Sequence, residues 1–233
     1  ETIALLVRPA ALVQALLCGL AFLMLLWVFA RTDLSVLLVA ENSQADAPMI
    51  YKIAGAWGNH EGSMLLWVTI MAIAGGLIAL IEHRLPEKTM LATLGAQAFV
   101  GLGFYAFLLF ASNPFARLVP TPAQGQGMNP LLQDPGLAMH PPTLYCGYVG
   151  LSIAFSFAVG ALLTRNVTPE FAKVMRPWVM GAWIFLTIGI TAGSYWSYYE
   201  LGLGGWWFSD PVENASLMPW LATTALFPTA RLL

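Results

Sequence analysis

Charged residues are scarce in this chain. Only 9% of its 233 residues are charged and 58% are hydrophobic, whereas soluble domains carry about 25% charged residues. So few charges cannot cover a water-exposed surface, which excludes an ordinary soluble domain. Helices that cross a bilayer are the remaining arrangement, because a helix satisfies its own backbone polar groups in lipid. We therefore predict an all-α, polytopic transmembrane bundle.

Cysteine is also rare, and no basic stripe is present. The two cysteines, Cys18 and Cys146, lie far apart inside apolar runs, which excludes CxxC, CxxCH and zinc-type clusters. The chain is therefore not itself a c-type cytochrome, and we expect both thiols to be small buried side chains. The net charge of −2 excludes a nucleic-acid partner. A cleavable signal segment is not visible either, so we expect the first apolar run to direct insertion.

Six apolar runs of 18 to 21 residues contain no acidic side chain. This pattern is typical of transmembrane helices. The runs predict about six spans within one membrane domain, 1–233, and they cover residues 10–30, 64–81, 91–111, 144–163, 178–196 and 215–233.

Lysine and arginine are unevenly distributed between the two sides of these spans. One side holds Arg8, Arg84, Lys88, Arg165, Lys173, Arg176 and Arg231, and the other holds Arg31, Lys52 and Arg117. Seven against three places the first side in the cytoplasm. The three loops 31–63, 113–143 and 197–214 then lie outside, and they hold most of the acidic residues and prolines.

The third outside loop, 197–214, is rich in tryptophan and glycine. Glycines such as Gly205 let the backbone approach a flat ligand, and Trp206 and Trp207 offer broad apolar faces for stacking. A planar macrocycle would suit this surface. The alternative is an interfacial aromatic belt, which membrane proteins commonly carry.

The same loop ends in a helix-start pattern. Asp210 would be the N-cap, Pro211 the first helical residue and Glu213 the third, forming a capping box for the sixth helix. Both carboxylates therefore have a structural interpretation beside a functional one.

Two histidines lie in the other outside loops. The proline and glycine content of 113–143 predicts an irregular loop rather than a helix, with His140 at the entry of the fourth span. A neutral imidazole there could bind iron, or it could donate to a carbonyl. His60 and Glu61 precede the second span, where the histidine could be a ligand and the glutamate favours a helix start.

Five motifs in order along the chain closely resemble the CcmF/NrfE family of cytochrome c haem lyases, which carry a WWD domain. Because the family's members are longer, the chain resembles an internal part of them. The motifs are Trp57-Gly-Asn-His-Glu-Gly-Ser-Met-Leu-Leu-Trp67, Ser112-Asn-Pro-Phe, Asn129-Pro-Leu-Leu-Gln-Asp-Pro-Gly, His140-Pro-Pro-Thr-Leu-Tyr and Gly204-Gly-Trp-Trp-Phe-Ser-Asp-Pro-Val-Glu-Asn-Ala-Ser-Leu-Met-Pro-Trp220.

The resemblance implies a haem site on the periplasmic face of a bacterial inner membrane. His140 is then the candidate axial ligand of the haem that awaits attachment. The implied haem-binding segment comprises Gly205, Trp206, Trp207 and Asp210, and the supporting residues are His60, Glu61, Glu213 and Asn214.

The same resemblance implies partners and chemistry. A haem chaperone delivers haem, an apocytochrome c supplies the CxxCH thiols, and other maturation subunits and membrane lipid surround the chain. Two thioether bonds to the haem vinyl groups are the products. The family is also thought to reduce the iron through a second, membrane-embedded haem b, with quinol as a candidate electron donor. Pro228 stands where the family has a histidine proposed to bind haem b; proline cannot bind iron and should interrupt the sixth helix.

Two departures leave other functions open. Leu203 and Ser209 replace tryptophans of the family's aromatic loop, which reduces the stacking surface. A WWD protein that hands haem to a chaperone without ligation is therefore one alternative. A transporter is a second, and it would need ionisable residues in the spans and paired broken helices.

Overall fold

The structure is a computed structural model that describes residues 2–200, Gly202 and 211–232. Within these residues the chain is helical and contains no named strand, which confirms the all-α prediction. The helices are α1 (Thr2–Ala30), α2 (Leu37–Asn42), α3 (Met49–Gly55), α4 (His60–Ile81), α5 (Glu87–Phe110), α6 (Pro135–Tyr148), α7 (Leu151–Thr164), α8 (Pro169–Glu200) and α9 (Pro211–Leu232), with a 3-10 turn at Pro130–Leu132.

Five helical segments of the described chain are long and apolar enough to cross a membrane. They are Ala4–Ala30, His60–Ile81, Glu87–Phe110, Ala138–Thr164 and Pro169–Glu200. A helix of 22 residues such as α4 is about 33 Å long, which matches a hydrocarbon core of about 30 Å. The chain is therefore a multi-pass membrane protein. The sixth predicted run lies in α9, which is not among these five segments.

The outside loops contain more helix than the sequence predicts. The irregular loop predicted for 113–143 ends early, because α6 already begins at Pro135 and continues through Pro141 and Pro142. That part of the prediction is wrong, since close packing of α6 on α8 outweighs the missing backbone donors of two prolines. Loop 31–63 likewise contains α2, α3 and the first turn of α4.

Proline also fails to interrupt the last helix. We predicted that Pro228 would break it, but α9 runs from Pro211 to Leu232. In a membrane-spanning environment a proline within a helix can be tolerated when neighbouring groups satisfy the freed carbonyl.

A tightened turn joins α6 to α7 without ending the span. Ser152 N donates to Val149 O at 2.9 Å and Ile153 N donates to Gly150 O at 3.1 Å. These bonds reach back three residues instead of four, which is the 3-10 pattern and marks a kink. The two helices therefore cross the membrane as one bent span.

Two apolar clusters pack the opposite ends of the bundle. The cluster at the end predicted to face the cytoplasm, which we call the inner end, joins α4, α5, α7 and α8 around the fully buried Ile78, Met90 and Phe157; the opposite end is called the outer end. The outer cluster joins α1, the α2 segment and α4 around Leu25 and Phe29, which are also fully buried. Each end therefore has its own packed core.

Glycine and neutral polar side chains join α5 to α7. A Cβ at Gly160 would lie 2.2 Å from Thr93 Oγ1, so the two helices approach closely. Gln97 bonds across the same interface: its Nε2 donates to Ser152 Oγ at 3.0 Å and its Oε1 accepts from Ser156 Oγ at 2.6 Å. Hydrogen bonds of this kind hold transmembrane helices together.

Charged side chains close the inner end of α4. Arg8 of α1 donates to Ala79 O at 2.6 Å and to Glu82 O at 3.0 Å, which caps the helix. The Glu82 side chain is only 1% exposed and pairs with Arg84 at 2.7 Å. Burial, the largest single effect, raises the pKa of Glu82, but hydrogen bonds from Arg84 and its charge together hold that pKa below its usual value.

Candidate functional site at the outer end of α6 and α8

The start of α6 is tied to the end of α8. Asp134 precedes α6, and its Oδ1 accepts from Gly136 N at 2.6 Å and from Tyr199 Oη at 2.5 Å. Its backbone carbonyl also accepts from Ala138 N at 3.0 Å. Asp134 therefore caps α6 and, through Tyr199, holds the outer ends of α6 and α8 together.

Three glycines allow α6 and α8 to pack closely. A Cβ at Gly147 would lie 2.2 Å from Leu186 N, and one at Gly189 would lie 2.5 Å from Leu144 Cα. A Cβ at Gly193 would lie 2.4 Å from Cε1 of His140. Any larger residue would push the helices apart, which is the principle of small-residue packing in membranes. We call this contact the α6–α8 interface.

His140 lies in this interface with its ring turned towards α8. Its Nδ1 is 2.8 Å from Gly189 O, so Nδ1–H donates to that carbonyl. This hydrogen bond is the carbonyl use that the sequence left open. In the neutral ring Nε2 then carries the lone pair, and it has no hydrogen-bond partner among the described residues. A nitrogen in this state can bind a metal.

The tryptophan-rich segment follows α8 and precedes α9 in the chain. Gly205, Trp206, Trp207 and Asp210 lie outside the described residues, so their predicted roles stay predictions. The flanking residues are described: α8 ends at Glu200, one residue after the Tyr199 contact to Asp134, and α9 begins at Pro211. The predicted loop 197–214 is therefore helical at both ends. Ten residues join helices that start and end on the face where α6 begins.

Helix α9 packs along α8. Trp183 Nε1 donates to Thr224 Oγ1 and Trp220 Nε1 donates to Thr187 Oγ1, both at 2.8 Å. The two indole rings stack with centroids 6.2 Å apart. Pro211 is the first residue of α9, as the capping pattern predicts. Asn214 lies in its first turn, and so does Glu213, whose side chain is outside the described part of the chain.

His60 lies at a different place on the outer end. It is the first residue of α4, and its Nδ1 lies 3.1 Å from Oγ of the buried Ser112, just past the end of α5. Its ring packs edge-on against Phe107 at 5.6 Å. No hydrogen bond or ring contact joins His60 to His140 in the described chain. His60 therefore connects α4 to the end of α5, and its predicted supporting role stays a prediction.

Glu61 lies in the first turn of α4, where a negative charge favours the helix. The N-cap itself is Asn59, a residue the sequence analysis missed. Its Oδ1 accepts from Gly62 N at 2.7 Å and its Nδ2 donates to Gly55 O at 2.5 Å. Asn followed by a helical run is a common N-cap signal and could have identified it.

An aromatic cluster lies beside α6 on another face. Trp67 contacts Phe104 and Tyr148, each at 5.4 Å, and Tyr145 at 5.8 Å. A cavity of about 520 Å³ opens next to it and is lined by Trp67, Phe104, Tyr148, Ser152, Met218 and Pro219. This volume falls in the range of small-molecule sites. His140 is not among the residues that line it, so the cavity and the histidine are separate features.

A charged contact fastens two outside loops to each other. Arg117 donates to Ser35 Oγ and pairs with Asp33 at 3.5 Å. The backbones join as well, because Leu37 N donates to Ala116 O at 2.8 Å and Leu118 N to Ser35 O at 2.9 Å. Hydrogen bonds from Ser35, with the charge of Arg117, hold the pKa of Asp33 below its usual value. This contact orders the loop that leads towards α6.

The sequence analysis also missed Gly189 and Gly193, the two residues of α8 that face the His140 ring. A signal was present, since Gly189-Ile-Thr-Ala-Gly193 is a GxxxG pattern inside an apolar span. Residues four apart lie on one face of a helix, and this pattern is typical of close helix contacts in membranes.

The comparisons with known proteins all point to the same family. The model of the family described as "Cytochrome C assembly protein" matches residues 57–231. The cytochrome c-type biogenesis protein ccl1 of Rhodobacter capsulatus is 58% identical over 222 residues, covering 95% of this chain and 34% of that protein. CcmF of Escherichia coli K12 is 52% identical over 207 residues, covering 88% of this chain and 32% of that protein.

A relative with a different name and a solved structure are also similar to this chain. NrfE of Haemophilus influenzae is 44% identical over 218 residues, covering 94% of this chain and 34% of that protein. A solved structure titled "Cytochrome c Heme Lyase CcmF" has a TM-score of 0.82 and 33% identity, and covers 96% of this chain and 35% of that one. The chain thus spans about a third of the length of the relatives that it matches.

Proposed function

Because the chain belongs to the cytochrome c assembly family, we propose that it is part of a cytochrome c haem lyase. In this role it holds haem at the outer face of the membrane, through His140 and the segment 203–210, for attachment to an apocytochrome c. Relatives named as cytochrome c biogenesis proteins and as a haem lyase support the proposal.

The state of His140 is the observation that carries the proposal. Histidines that bind metals almost always donate their second ring N–H to a carboxylate, carbonyl or water, which fixes the tautomer. His140 has this arrangement, since Nδ1 donates to Gly189 O at 2.8 Å. Its Nε2 is then the nitrogen available to haem iron. One imidazole is a sufficient protein ligand here, because the porphyrin supplies four further nitrogens itself.

The protein's own contribution to the reaction is binding and orientation. Each thiol adds across one vinyl group: a C–S bond and a C–H bond form, while the S–H bond and the C=C π bond break. Atoms and electrons balance without an oxidant. If His140 held the haem iron, the vinyl groups at the edge of the haem would stay accessible to the CxxCH thiols. Such positioning lowers the entropic cost of the reaction. Trp206 and Trp207 would stack on the porphyrin face.

Location and partners follow from the same proposal. The excess of basic residues at the inner turns supports a periplasmic position for His140 and the segment 203–210 in a bacterial inner membrane. Haem would come from a haem chaperone, and the other maturation subunits would bring the apocytochrome. Quinol and a second haem b stay predictions, and the second haem is disfavoured because Pro228 stands where the family has a histidine proposed to bind it.

Haem absorption of the purified protein tests the proposal. We compare the wild-type protein with His140→Ala, each extracted from membranes and titrated with haemin. We expect the wild type to bind haemin with a histidine-ligated spectrum, and His140→Ala to lose at least about tenfold in affinity. His83→Ala is the matched control, because His83 is exposed at the opposite end of α4 and belongs to no predicted site; it should keep the wild-type spectrum. Equal binding by all three proteins would remove His140 from the site.

A related function without bond formation has one observation in its favour. Leu203 and Ser209 stand at positions where the family has tryptophan, so fewer rings are available to hold haem. A protein that only passes haem to a chaperone would need a weaker hold. Expression of this gene as the sole lyase distinguishes the two: covalently haem-linked cytochrome c accumulates if the chain ligates, and free haem is transferred if it does not.

A further inference from the structure

Gly193 of α8 leaves the space that the His140 ring occupies. A Cβ at position 193 would lie 2.4 Å from Cε1, 2.8 Å from Nδ1 and 3.0 Å from Nε2 of His140. The three atoms nearest to that position therefore all belong to one imidazole edge. Real Cβ atoms do not approach ring atoms at 2.4 Å, so any residue other than glycine would displace the ring.

Gly193 differs in this respect from the other glycines of the interface. Those at 147 and 189 face the backbone of Leu186 and Leu144, so helix packing alone accounts for them. Gly193 faces a side chain instead. The ring, rather than the approach of two backbones, is what requires glycine at this position.

Gly189 and Gly193 act on the ring from one face of α8. They are four residues apart and therefore one above the other on the helix. The Gly189 carbonyl accepts from Nδ1 at 2.8 Å, which selects the tautomer, and Gly193, which has no Cβ, leaves room for Cε1 of the same edge. Together they restrict both the protonation and the orientation of the imidazole.

We propose that Gly189 and Gly193 form a socket that positions His140, with the Gly189 carbonyl fixing its tautomer and Gly193 fixing its ring plane, so that Nε2 is directed to haem iron. Both are positioning residues, since they act through His140. The proposal rests on the function proposed above, in which His140 binds haem. It adds that His140 alone is insufficient for haem binding, because α8 must hold its ring in the correct orientation.

The main test is Gly193→Ala, with Gly181→Ala as the matched control. Position 181 lies on the same helix, and a Cβ there meets nothing within 4 Å. We expect Gly193→Ala to weaken haemin binding about 10- to 100-fold, the range for groups that orient a metal ligand, and to shift the absorption bands of the remaining complex. Gly181→Ala should match the wild type in both. Wild-type affinity and bands in Gly193→Ala would overturn the socket.

Rescue by free imidazole separates positioning from folding. In His140→Gly the socket is vacant, and added imidazole should restore the histidine-ligated spectrum. In His140→Gly combined with Gly193→Ala the added methyl occupies the same space, so imidazole should fail to restore it. Equal rescue in both backgrounds would overturn the inference.

A second measurement covers the case in which Gly193→Ala does not fold. Removing the ring should relieve the clash, so His140→Ala combined with Gly193→Ala should recover the yield and melting temperature of His140→Ala. If the double variant still fails to fold, the ring is not what Gly193 accommodates and the inference falls. Failure of the proposed function looks different: His140→Ala would then bind haemin as the wild type does, whatever position 193 contains.

Discussion

The α5–α7 and α6–α8 interfaces use the same small-residue packing but treat their polar groups differently. In the first, Gln97 Nε2 donates to Met71 O and Ser152 Oγ, and Gln97 Oε1 accepts from Ser156 Oγ. In the second, His140 uses one ring nitrogen on Gly189 O and leaves the other without a partner in the described chain. A polar group whose hydrogen bonds are all made inside a bundle joins helices, whereas the second ring nitrogen of His140 is left available for the haem iron of the proposed function.

The glycines of the two interfaces also differ in the groups that they face. Gly160 in the α5–α7 interface and Gly147 in the α6–α8 interface face groups that only hold helices together. Gly193 faces a ring that can do chemistry. The variants of Gly147, Gly160 and Gln97 described next, together with those of His140 and Gly193, therefore separate effects on stability from effects on haem binding.

The largest effect on stability should come from Gly147→Ala. The new methyl would lie 2.2 Å from N and 2.4 Å from Cα of Leu186, and neither backbone atom can move away without shifting α8. We expect a loss of roughly 1–3 kcal/mol in the free energy of unfolding, measured by thermal melting in detergent. Gly103→Ala, where a Cβ meets nothing within 4 Å, should be neutral or slightly stabilising.

The corresponding change in the other interface should cost less. In Gly160→Ala the nearest atom is Thr93 Oγ1, a hydroxyl on a side chain that can rotate, although Thr93 N follows at 2.9 Å. Replacing Thr93 by alanine as well should recover part of the loss, because the two positions are coupled. If Gly160→Ala destabilises more than Gly147→Ala, the α5–α7 interface is the more rigid of the two.

A smaller effect is expected from Gln97→Leu. The change removes the bonds to Met71 O, Ser152 and Ser156, and double-mutant studies place such membrane hydrogen bonds at about 0.6 kcal/mol each. We expect a total loss of roughly 1–2 kcal/mol and an unchanged haemin spectrum. Ser152→Ala, which removes a single bond, should lose about a third as much. A changed haem spectrum in Gln97→Leu would contradict its structural assignment.

The smallest effect lies outside both interfaces, at the inner end of α4. The pKa of Glu82 is held below its usual value by Arg84, so the carboxylate stabilises the fold at neutral pH. This contribution is complete above the unfolded pKa of about 4.3 and is lost as pH falls through the lower folded value. Melting temperatures from neutral pH to about pH 3 should therefore fall more in the wild type than in Glu82→Gln. The exposed Glu41→Gln is the control and should follow the wild type.

The sequence predicted the spans better than the site. Length and hydropathy suffice for the spans, because a bilayer demands about 20 apolar residues whatever the neighbours are. The start of α6 was missed, since Pro141 and Pro142 argue locally for a loop and only the packing against α8 makes a helix there. The effect of Pro228 was misjudged for a similar reason.

The candidate site was predicted as single residues and not as an arrangement. His140 was identified from its motif, and its carbonyl bond was one of two open uses. Its partners Gly189 and Gly193 lie about 50 positions further along the chain, and a single sequence does not state that α6 lies on α8. His60 bonds to Ser112, just past the end of α5, and no contact joins the two histidines in the described chain, so its predicted supporting role stays a prediction.

The contact between Tyr199 and Asp134 fixes the position of the end of α8 relative to the start of α6. Glu200, the last residue of α8, lies about 16 Å from Gly189 along one helix. This spacing is set by the regular geometry of α8, and the contact between Tyr199 and Asp134 holds the end of that helix in place. A tilt of α8 would therefore carry the carbonyl that His140 contacts and the point from which the tryptophan-rich segment continues in the same direction, so the two parts of the proposed haem site would shift together.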